Sequence, residues 1–232
     1  MDIFDYMQEH GHEQLVFCSE PSVGLRGFIA IHDTTLGPAV GGLRIWNHKS
    51  EDEAILDVLR LSKAMTYKSA AADLPLGGGK AVIIADPQRD KTEAMLRAFG
   101  RFVDTLAGRY VTTTDAGTTS RDLEYIARET AYVAGLPLSL GGSGDTSVLT
   151  GLGIFQGMKA CAKAIWGSDS LEGRTVAIQG FGKVARHTAK HLLAQGASLV
   201  ATDTNEAALE EARRMGATVV GAEEIYDVEC DI

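Results

Sequence analysis

The chain contains few cysteines, and their number and spacing exclude two classes of protein. Cys18, Cys161 and Cys230 are the only ones among 232 residues, and they lie far apart with no Cys-x-x-Cys pair. A disulfide framework and a cysteine zinc site are therefore not expected, and this usage fits a reducing cytoplasm. His187 and His191 are four residues apart on one predicted helix, but without a third ligand they indicate a solvated face or a core contact rather than a metal site.

Positive charge and long apolar runs are also scarce. Lysine and arginine total 22 against 31 aspartates and glutamates, a formal net charge of -9, so the chain has no general attraction for nucleic acid or an anionic membrane. No apolar run approaches the ~18 to 20 residues that span a bilayer, and residues 1–14 lack the pattern of a signal peptide. We expect a cytoplasmic protein whose partners are small molecules or other protein subunits.

The 45% hydrophobic content predicts a packed core, and the residue pattern changes near position 145. We therefore expect two domains of the α/β class, 1–145 and 146–232. In the first, Ser50 and Glu53 are spaced as a capping box that opens a long helix. Its other elements are expected to be two early strands, a short strand after a glycine run, a helix and a last strand: 13–18, 27–33, 81–85, about 91–107 and 109–115.

The second domain is expected to open with a helix over about 147–166 and then to alternate strand and helix. This alternation indicates a parallel sheet with right-handed crossovers. The expected strands and helices, in chain order, are 174–180, 183–196, 198–203, 205–216 and 218–220, followed by a short helix and the start of a strand at 229–232.

Gly180, Gly182 and Ala185 form a G-x-G-x-x-A pattern directly after an apolar strand and at the start of a helix. Gly180 allows the tight turn, Gly182 lets the backbone approach a pyrophosphate at the helix N-terminus, and Ala185 permits close packing. Asp203 ends the next strand 23 residues after Gly180, where an acid accepts hydrogen bonds from an adenosine ribose. Because a carboxylate there repels a 2′-phosphate, the pattern predicts NAD rather than NADP. The alternative is a glycine turn with a surface aspartate.

The stretch LPLGGGKAV, residues 74–82, places three glycines before Lys80. A phosphate-binding P-loop needs the motif G-x-x-x-x-G-K-[ST]. Leu74 occupies the position of its first glycine and Ala81 that of its Ser or Thr, so this function is excluded. Two alternatives remain, a tight turn with an incidental lysine and a frame that aims the amine at a substrate.

Two lysines are expected to point into the first domain. Lys68 lies one turn after Met65 on the edge of a helical stripe, and Lys80 enters an apolar strand. Two inward amines need anionic partners, for which Asp115 is the expected countercharge, and each amine lowers the pKa of the other, as burial does. The cluster is interpreted either as a carboxylate clamp with a proton-trading lysine, or as a structural group of salt bridges.

Four segments resemble the glutamate/leucine/phenylalanine/valine dehydrogenase family, most closely its leucine dehydrogenase branch. They are GPAVGGLR, MTYKSAAADLPLGGGKAVI, TTDAGTT and VAIQGFGKVA, at 37–44, 65–83, 113–119 and 176–185. The resemblance covers essentially the whole chain. It implies reversible oxidative deamination of an L-amino acid to a 2-oxo acid and ammonia, with NAD as hydride acceptor, in a homo-oligomer.

By position, the resemblance assigns roles to residues of this chain. Lys80 would be the general base that activates water against the imine carbon, Asp115 would relay protons to and from the amine nitrogen, and Lys68 would bind the substrate carboxylate. The rest of the substrate site would be the backbone of two glycines and three nearby side chains: Gly41, Gly42, Val40, Met65 and Thr113. NAD would be held by residues of the second domain: Thr150, Gly180, Gly182, Lys183, Val184 and Asp203.

Three departures from the family pattern bear on the substrate. Glutamate-acting relatives place a lysine just before the Gly-Gly pair, and Val40 stands there in this chain, so an apolar amino acid is expected. Leucine-acting relatives usually have alanine at Thr113 and threonine at Leu43. These two positions leave valine, isoleucine, phenylalanine and tryptophan as substrates beside leucine.

The chain is expected to end within its dinucleotide-binding domain. A full sheet of this kind has six strands, and 229–232 is interpreted as the start of the third, which leaves roughly 75 or more residues outside the chain. We therefore expect an incomplete Rossmann-type domain and a chain that is inactive, or nearly so, by itself. The alternatives are a non-catalytic remnant with weak nucleotide binding or a subunit-association role, and an NAD protein of unrelated chemistry with Lys68 and Lys80 exposed and far apart.

Overall fold

A computed structural model describes residues 2–232 of the chain. They divide into two compact units, one that ends at Asp145 and one that begins at Thr146. Nowhere in this part of the chain does a helix combine the length and the apolar character needed to cross a membrane.

The first unit is built on a five-stranded mixed sheet. Its strands are β1 Gln14–Glu20, β2 Leu25–Asp33, β3 Ala39–Trp46, β4 Gly77–Ile84 and β5 Tyr110–Thr114. They lie in the order β1-β2-β4-β3-β5. β2 runs antiparallel to both of its neighbours, whereas β4, β3 and β5 run parallel to one another.

The glycine run lies inside the sheet, so the expected loop followed by a strand at 81–85 is wrong. β4 begins at Gly77 and is the central strand. Neighbouring backbone comes very close to it, because a Cβ atom on Gly78 would collide with the main-chain nitrogen of Thr66. Side chains would push this neighbouring segment away, which explains glycine in a buried strand, where it is otherwise unfavourable.

Four helices cover the first unit: α1 Ile3–His10, α2 Glu51–Ala71, α3 Glu93–Asp104 and α4 Ser120–Ile126. The hydroxyl of Ser50 accepts the N–H of Glu53 and caps α2, as expected. The Glu53 carboxylate, however, accepts the main-chain N–H of Lys49 rather than that of Ser50. The N-cap is therefore confirmed, with the reciprocal bond shifted by one residue.

Each face of the first sheet has its own core. Side chains of α3 and α4 pack on one face, where Leu43, Phe99 and Tyr110 are fully buried. α2 packs on the other face, where Ile55 and Leu59 contact Val82 of β4. The sheet thus separates a large apolar core from the α2 side, on which the charged groups described below lie.

The second unit alternates helix and strand as expected: α5 Thr146–Trp166, β6 Thr175–Gln179, α6 Lys183–Ala194, β7 Ser198–Thr202, α7 Glu206–Arg214 and β8 Thr218–Val219. β6, β7 and β8 form a parallel sheet in that order. Its core contains Phe181, Leu192 and Leu199. The α/β class and the Rossmann-type arrangement are confirmed.

The last residues lie at a different edge of this sheet than expected. β8 already provides the third strand, and the end of the chain pairs with β6 instead: Asp231 N–H donates to the Thr175 carbonyl and Ala177 N–H to the Ile232 carbonyl, each at 2.8 Å. These two bonds place the end of the chain beside β6, the position that the fourth strand takes in a doubly wound dinucleotide-binding sheet. The interpretation of 229–232 as the third strand is therefore wrong, because the strand predicted at 218–220 forms as β8 and already occupies that position.

Candidate active site

Lys80 lies in the middle of the central strand with 5% of its surface exposed. The interior position expected for it is confirmed. Because side chains alternate along a strand, Lys80 shares a face with Gly78 and Val82, and Val82 packs in the core under α2. The amine therefore projects to the α2 side of the sheet.

The Asp115 carboxylate, just beyond the end of β5, neutralises Lys80. Nζ of Lys80 lies 2.9 Å from Oδ2 of Asp115. The main-chain N–H of Asp115 donates to Oγ1 of Thr118 at 2.8 Å, and that hydroxyl lies 2.9 Å from the Leu43 carbonyl. These contacts tie the segment after β5 to β3 and place the carboxylate over the sheet.

Gly42 leaves the space in which this ion pair forms. The register of β3 on β4 carries Gly42 to the level of Lys80. A Cβ atom at Gly42 would lie 2.8 Å from Cβ of Asp115 and 2.5 Å from the carbonyl oxygen of Thr114. Any side chain here would displace the carboxylate from the amine, so glycine is required by close approach rather than by a turn.

Lys68 is exposed, so the expectation that its amine points into the first domain is wrong. The buried stripe of α2 ends at Ser69, which is 4% exposed. One residue along an α-helix corresponds to a rotation of about 100°, so a side chain next to the centre of the stripe points well away from it. The sequence interpretation measured Lys68 from Met65, which is itself only half-buried.

The other expected substrate residues lie on both faces of the sheet. Val40 and Thr113 are half-buried and share the Lys80 face by strand alternation, and Met65 is half-buried on α2. Gly41 points the opposite way, and its carbonyl accepts the hydroxyl of buried Tyr110 at 2.7 Å. Leu43 is fully buried on that opposite face, in the core beneath the sheet.

Three charged or titratable residues next to the ion pair were not identified from the sequence. Nε of Arg44 lies 3.0 Å from Oδ2 of Asp115, and Nη1 of Arg44 lies 2.9 Å from Oδ2 of Asp57 on α2. Nε2 of buried His48 lies 3.1 Å from the same Asp57 oxygen. Their positions in the sequence could have indicated them. Arg44 lies two residues after Gly42 on β3 and therefore on the same face, and Asp57 lies about one turn after buried Ala54 on α2.

Burial and neighbouring charges set the proton affinities in this group. Burial lowers the pKa of Lys80 below its ordinary value, Asp115 offsets this only in part, and Arg44 lowers the pKa further. Burial alone would raise the pKa of Asp115, but the charges and hydrogen bonds of Lys80 and Arg44 outweigh it and hold this pKa below its usual range. The arrangement therefore favours an ionised carboxylate beside an amine that releases its proton more readily than a solvated lysine.

A cavity of about 900 Å³ opens onto the same charged group. Its wall is formed by residues of β3, the segment after it, α2 and the segment after β5: Arg44, Trp46, His48, Glu53, Leu56, Asp57, Arg60, Leu61, Ala64 and Ala116. Solvent and small molecules can thus approach Arg44 and Asp57 from this side, while Lys80 stays buried.

In the second unit, the glycine motif forms the turn between β6 and α6. Gly180 has φ +89°, a backbone conformation that favours glycine, and Gly182 is the N-cap of α6. A Cβ atom at Gly182 would meet nothing within 4 Å, and glycine has no side chain with which to cap the helix. The N-terminus of α6, which begins at Lys183, is thus a position where a phosphate would fit.

Asp203 follows β7 and borders a cavity of about 330 Å³ at the carboxyl ends of β6 and β7. Its Oδ2 accepts the N–H of Phe181 at 2.6 Å and its Oδ1 accepts the N–H of Asn205 at 2.8 Å. The cavity is lined by residues of both strand ends: Gln179, Gly180, Thr202, Asp203, Thr204 and Ala222. A carboxylate so oriented fits the hydroxyls of a ribose, and these residues together fit a dinucleotide.

The two remaining cofactor candidates lie on helices of the second unit. Val184 is half-buried in the first turn of α6, and its carbonyl accepts the hydroxyl of Thr188 at 3.2 Å. Thr150 is exposed on α5, with its hydroxyl donating to the Thr146 carbonyl at 2.9 Å. The adjacent Gly151 packs directly against α6, so Thr150 is held near the helix that the glycine motif opens.

Two family models match this chain. Residues 12–132 match the Glu/Leu/Phe/Val dehydrogenase dimerisation domain, and residues 141–227 match the glutamate/leucine/phenylalanine/valine dehydrogenase domain. Among curated relatives, the chain is 53% identical over 233 residues to leucine dehydrogenase of Bacillus cereus and 50% identical to phenylalanine dehydrogenase of Lysinibacillus sphaericus. The match covers all of this chain, which spans 64% and 62% of the length of those relatives.

Two solved structures are similar in fold. The crystal structure of L-tryptophan dehydrogenase from Nostoc punctiforme is 44% identical, with a TM-score of 0.68 over 98% of this chain and 64% of that one. The hetero-hexameric glutamate dehydrogenase from Thermus thermophilus is 23% identical, with a TM-score of 0.78 over 98% of this chain and 65% of that one. The second match bears on the fold alone.

Proposed function

Because the chain belongs to the glutamate/leucine/phenylalanine/valine dehydrogenase family, we propose that it serves the NAD-dependent oxidative deamination of an apolar L-amino acid. One amino acid, one NAD and one water give a 2-oxo acid, an ammonium ion, NADH and a proton. The observation that carries the proposal is the 2.9 Å contact between the buried amine of Lys80 and the Asp115 carboxylate. A buried lysine of lowered pKa beside an ionised carboxylate is an acid–base pair suited to proton transfer.

In this proposal Lys80 is the general base and Asp115 moves protons to and from the substrate nitrogen. The neutral amine of Lys80 takes a proton from the water that attacks the imine carbon, which its lowered pKa favours. Gly42 contributes the space that keeps the carboxylate within reach of the amine. Lys68 binds the substrate carboxylate, a role for which its exposed ammonium is available.

The second unit supplies the cofactor site. NAD accepts the hydride from the substrate carbon when it is bound. The turn after β6 and the start of α6, with Gly180, Gly182, Lys183 and Val184, would hold the pyrophosphate, and Asp203 would hold the adenosine ribose. The carboxylate of Asp203 supports NAD over NADP because it repels a 2′-phosphate. Thr150, on the helix packed against α6, would also contact the cofactor.

An apolar side chain on the substrate follows from Val40. A distal carboxylate placed against this half-buried valine would lose hydration without gaining a partner. The amino acids after which the relatives are named, leucine, phenylalanine and tryptophan, are apolar as well. We further propose that the chain works as a homo-oligomer, since the match over 12–132 is to a dimerisation domain. A cytoplasmic location is proposed from the three widely spaced cysteines, which fit a reducing compartment.

The test is a hybrid enzyme in which this chain replaces the matching part of Bacillus cereus leucine dehydrogenase, assayed beside the 232-residue chain alone. NADH formation is measured with leucine, valine, isoleucine, phenylalanine, tryptophan and glutamate. We expect the hybrid to oxidise apolar amino acids and to reject glutamate. In the hybrid, Lys80→Ala should lower kcat by about 10²- to 10⁴-fold, the usual contribution of a general base.

Lys49→Ala is the matched control, since Lys49 is an exposed lysine of the same unit outside the charged group. It should leave turnover unchanged. A folded hybrid that binds NAD but oxidises none of the apolar amino acids would contradict the proposal and favour nucleotide binding without catalysis. Equal activity of the Lys80→Ala and Lys49→Ala hybrids would remove Lys80 from the mechanism.

A further inference from the structure

Two cations share one oxygen atom of Asp115. Oδ2 accepts from Nζ of Lys80 at 2.9 Å and from Nε of Arg44 at 3.0 Å. The two cations on this oxygen repel each other, so the presence of Arg44 offsets part of the attraction between the carboxylate and the Lys80 ammonium. Arg44 therefore competes with Lys80 for the group that would otherwise hold the lysine protonated.

Arg44 is itself anchored from α2. Its Nη1 lies 3.1 Å from Oδ1 and 2.9 Å from Oδ2 of Asp57, and Nε2 of buried His48 lies 3.1 Å from that second oxygen. The guanidinium is planar and presents its donors in a rigid fork, so two carboxylates on different sides of it determine its orientation. Arg44 thus bridges α2, β3 and the segment after β5.

The charges around Lys80 make this geometry relevant to proton transfer. The groups that face the amine are the Asp115 carboxylate, the Arg44 guanidinium and, further away, the Asp57 carboxylate. Asp115 favours the protonated amine, whereas Arg44 disfavours it. A lysine paired with Asp115 alone would retain its proton to a higher pH.

We propose that Arg44, anchored by Asp57 and His48, is a positioning residue that holds the Asp115 carboxylate in place and prevents Lys80 from pairing with it exclusively. This inference rests on the proposed function, because it explains how a lysine beside a carboxylate can still act as a base. Asp57 and His48 contribute through Arg44 and need no contact with substrate.

The test is a pH titration of Lys80 in the 232-residue chain. Carbon-13 NMR of labelled lysine side chains monitors it. The Lys80 signal is assigned by its loss in Lys80→Arg. In Arg44→Gln we expect the titration midpoint of Lys80 to rise by about one pH unit, a tenfold gain in proton affinity. Arg26→Gln is the matched control, because it removes an arginine–glutamate pair, Arg26 with Glu51 at 2.6 Å, from an exposed site of the same unit.

An equal midpoint in wild type, Arg44→Gln and Arg26→Gln would overturn the proposal, since a purely structural arginine would change stability without moving the Lys80 titration. Should Arg44→Gln fail to fold, Arg44→Lys keeps the charge but lacks the rigid fork. Its Lys80 midpoint should then lie above that of wild type, and an unchanged midpoint in this folded variant would equally overturn the proposal.

The same variants in the hybrid separate this inference from the proposed function. If the hybrid is active, Arg44→Gln should shift the rising limb of its pH–rate profile upward, while Arg26→Gln should not. If the hybrid oxidises no amino acid but Lys80 still titrates higher in Arg44→Gln, the proposed function fails and the positioning role stands.

Discussion

The amine of Lys80 and the carboxylate of Asp115 form an ion pair across β3, the strand that lies between β4 and β5 in the sheet. The pair exists because the intervening strand has Gly42, with no side chain, at this level. A central strand, an edge strand and a glycine between them therefore define the candidate active site more closely than any single motif does.

The Asp115 pair should make the first unit sensitive to acid. The pKa of Asp115 is lowered in the fold from its ordinary 3.8, so its contribution to stability is fully present above 3.8 and is lost as the pH falls through the folded-state pKa. We expect the free energy of unfolding of wild type to fall relative to that of Asp115→Asn as the pH drops below 3.8. Urea denaturation of both proteins across this range measures the difference, and a constant difference would contradict the prediction.

Gly42→Ala should destabilise the protein by about 1 to 3 kcal/mol, because the new methyl group overlaps the backbone and side chain of the segment after β5. It should also raise the exposure of Lys80, which a pH-dependent amine-labelling experiment with mass spectrometry detects. Gly153→Ala is the control, since Gly153 is an exposed glycine of α5 with nothing within 4 Å of an added Cβ. That substitution should instead stabilise by about 0.5 to 1 kcal/mol, and equal destabilisation by both would refute the close-approach explanation.

Lys68→Met separates binding from folding. Because Lys68 is exposed, its replacement should change the free energy of unfolding by no more than about 0.5 kcal/mol. In the hybrid enzyme it should raise KM for the amino acid by roughly 10- to 100-fold, the loss of one charge-assisted hydrogen bond to the substrate carboxylate. Lys49→Met should change neither quantity. A KM equal to that of wild type would exclude Lys68 from the substrate site.

Asp203→Ser should weaken the binding of NAD to the 232-residue chain. It should also reduce the preference of the chain for NAD over NADP. The loss of a charged acceptor for the ribose corresponds to about 1.5 to 3 kcal/mol, or roughly 10- to 150-fold in Kd by titration calorimetry. Asp231→Ser is the control, because the Asp231 carboxylate also accepts a main-chain N–H, from Thr175, but lies away from the cavity that Asp203 borders. Equal loss of affinity in both variants would show that loop order, rather than ribose contact, explains the effect.

Local patterns in the sequence were sufficient to predict the elements from β6 to β8 in the second unit. The order of strands and helices from β6 to β8 follows from apolar runs and glycine turns that act over a few residues, and the positive φ of Gly180 follows from its motif. The interior position of Lys80 was also predictable, because an apolar strand follows it directly.

Other features depended on contacts between distant segments, which short-range patterns do not contain. Gly77 to Gly79 form part of a central strand because α2 and the neighbouring strands approach them closely, and the local pattern alone indicated a turn. Lys68 is exposed because the buried stripe of α2 passes through Ser69, and not through Lys68, at the C-terminal end of the helix.

The grouping of Arg44, Asp57 and His48 around Asp115 was likewise decided only by the tertiary structure. These residues belong to β3, the segment after it and α2, and their charges meet because the sheet brings β3 beside β5 under one helix. The sequence by itself determined the strands and helices from β6 to β8 and the type of chemistry that we propose, since both depend on residue identity and local spacing. The tertiary structure decided which charges share a proton site, since electrostatic coupling depends on distances between atoms that are remote in the chain.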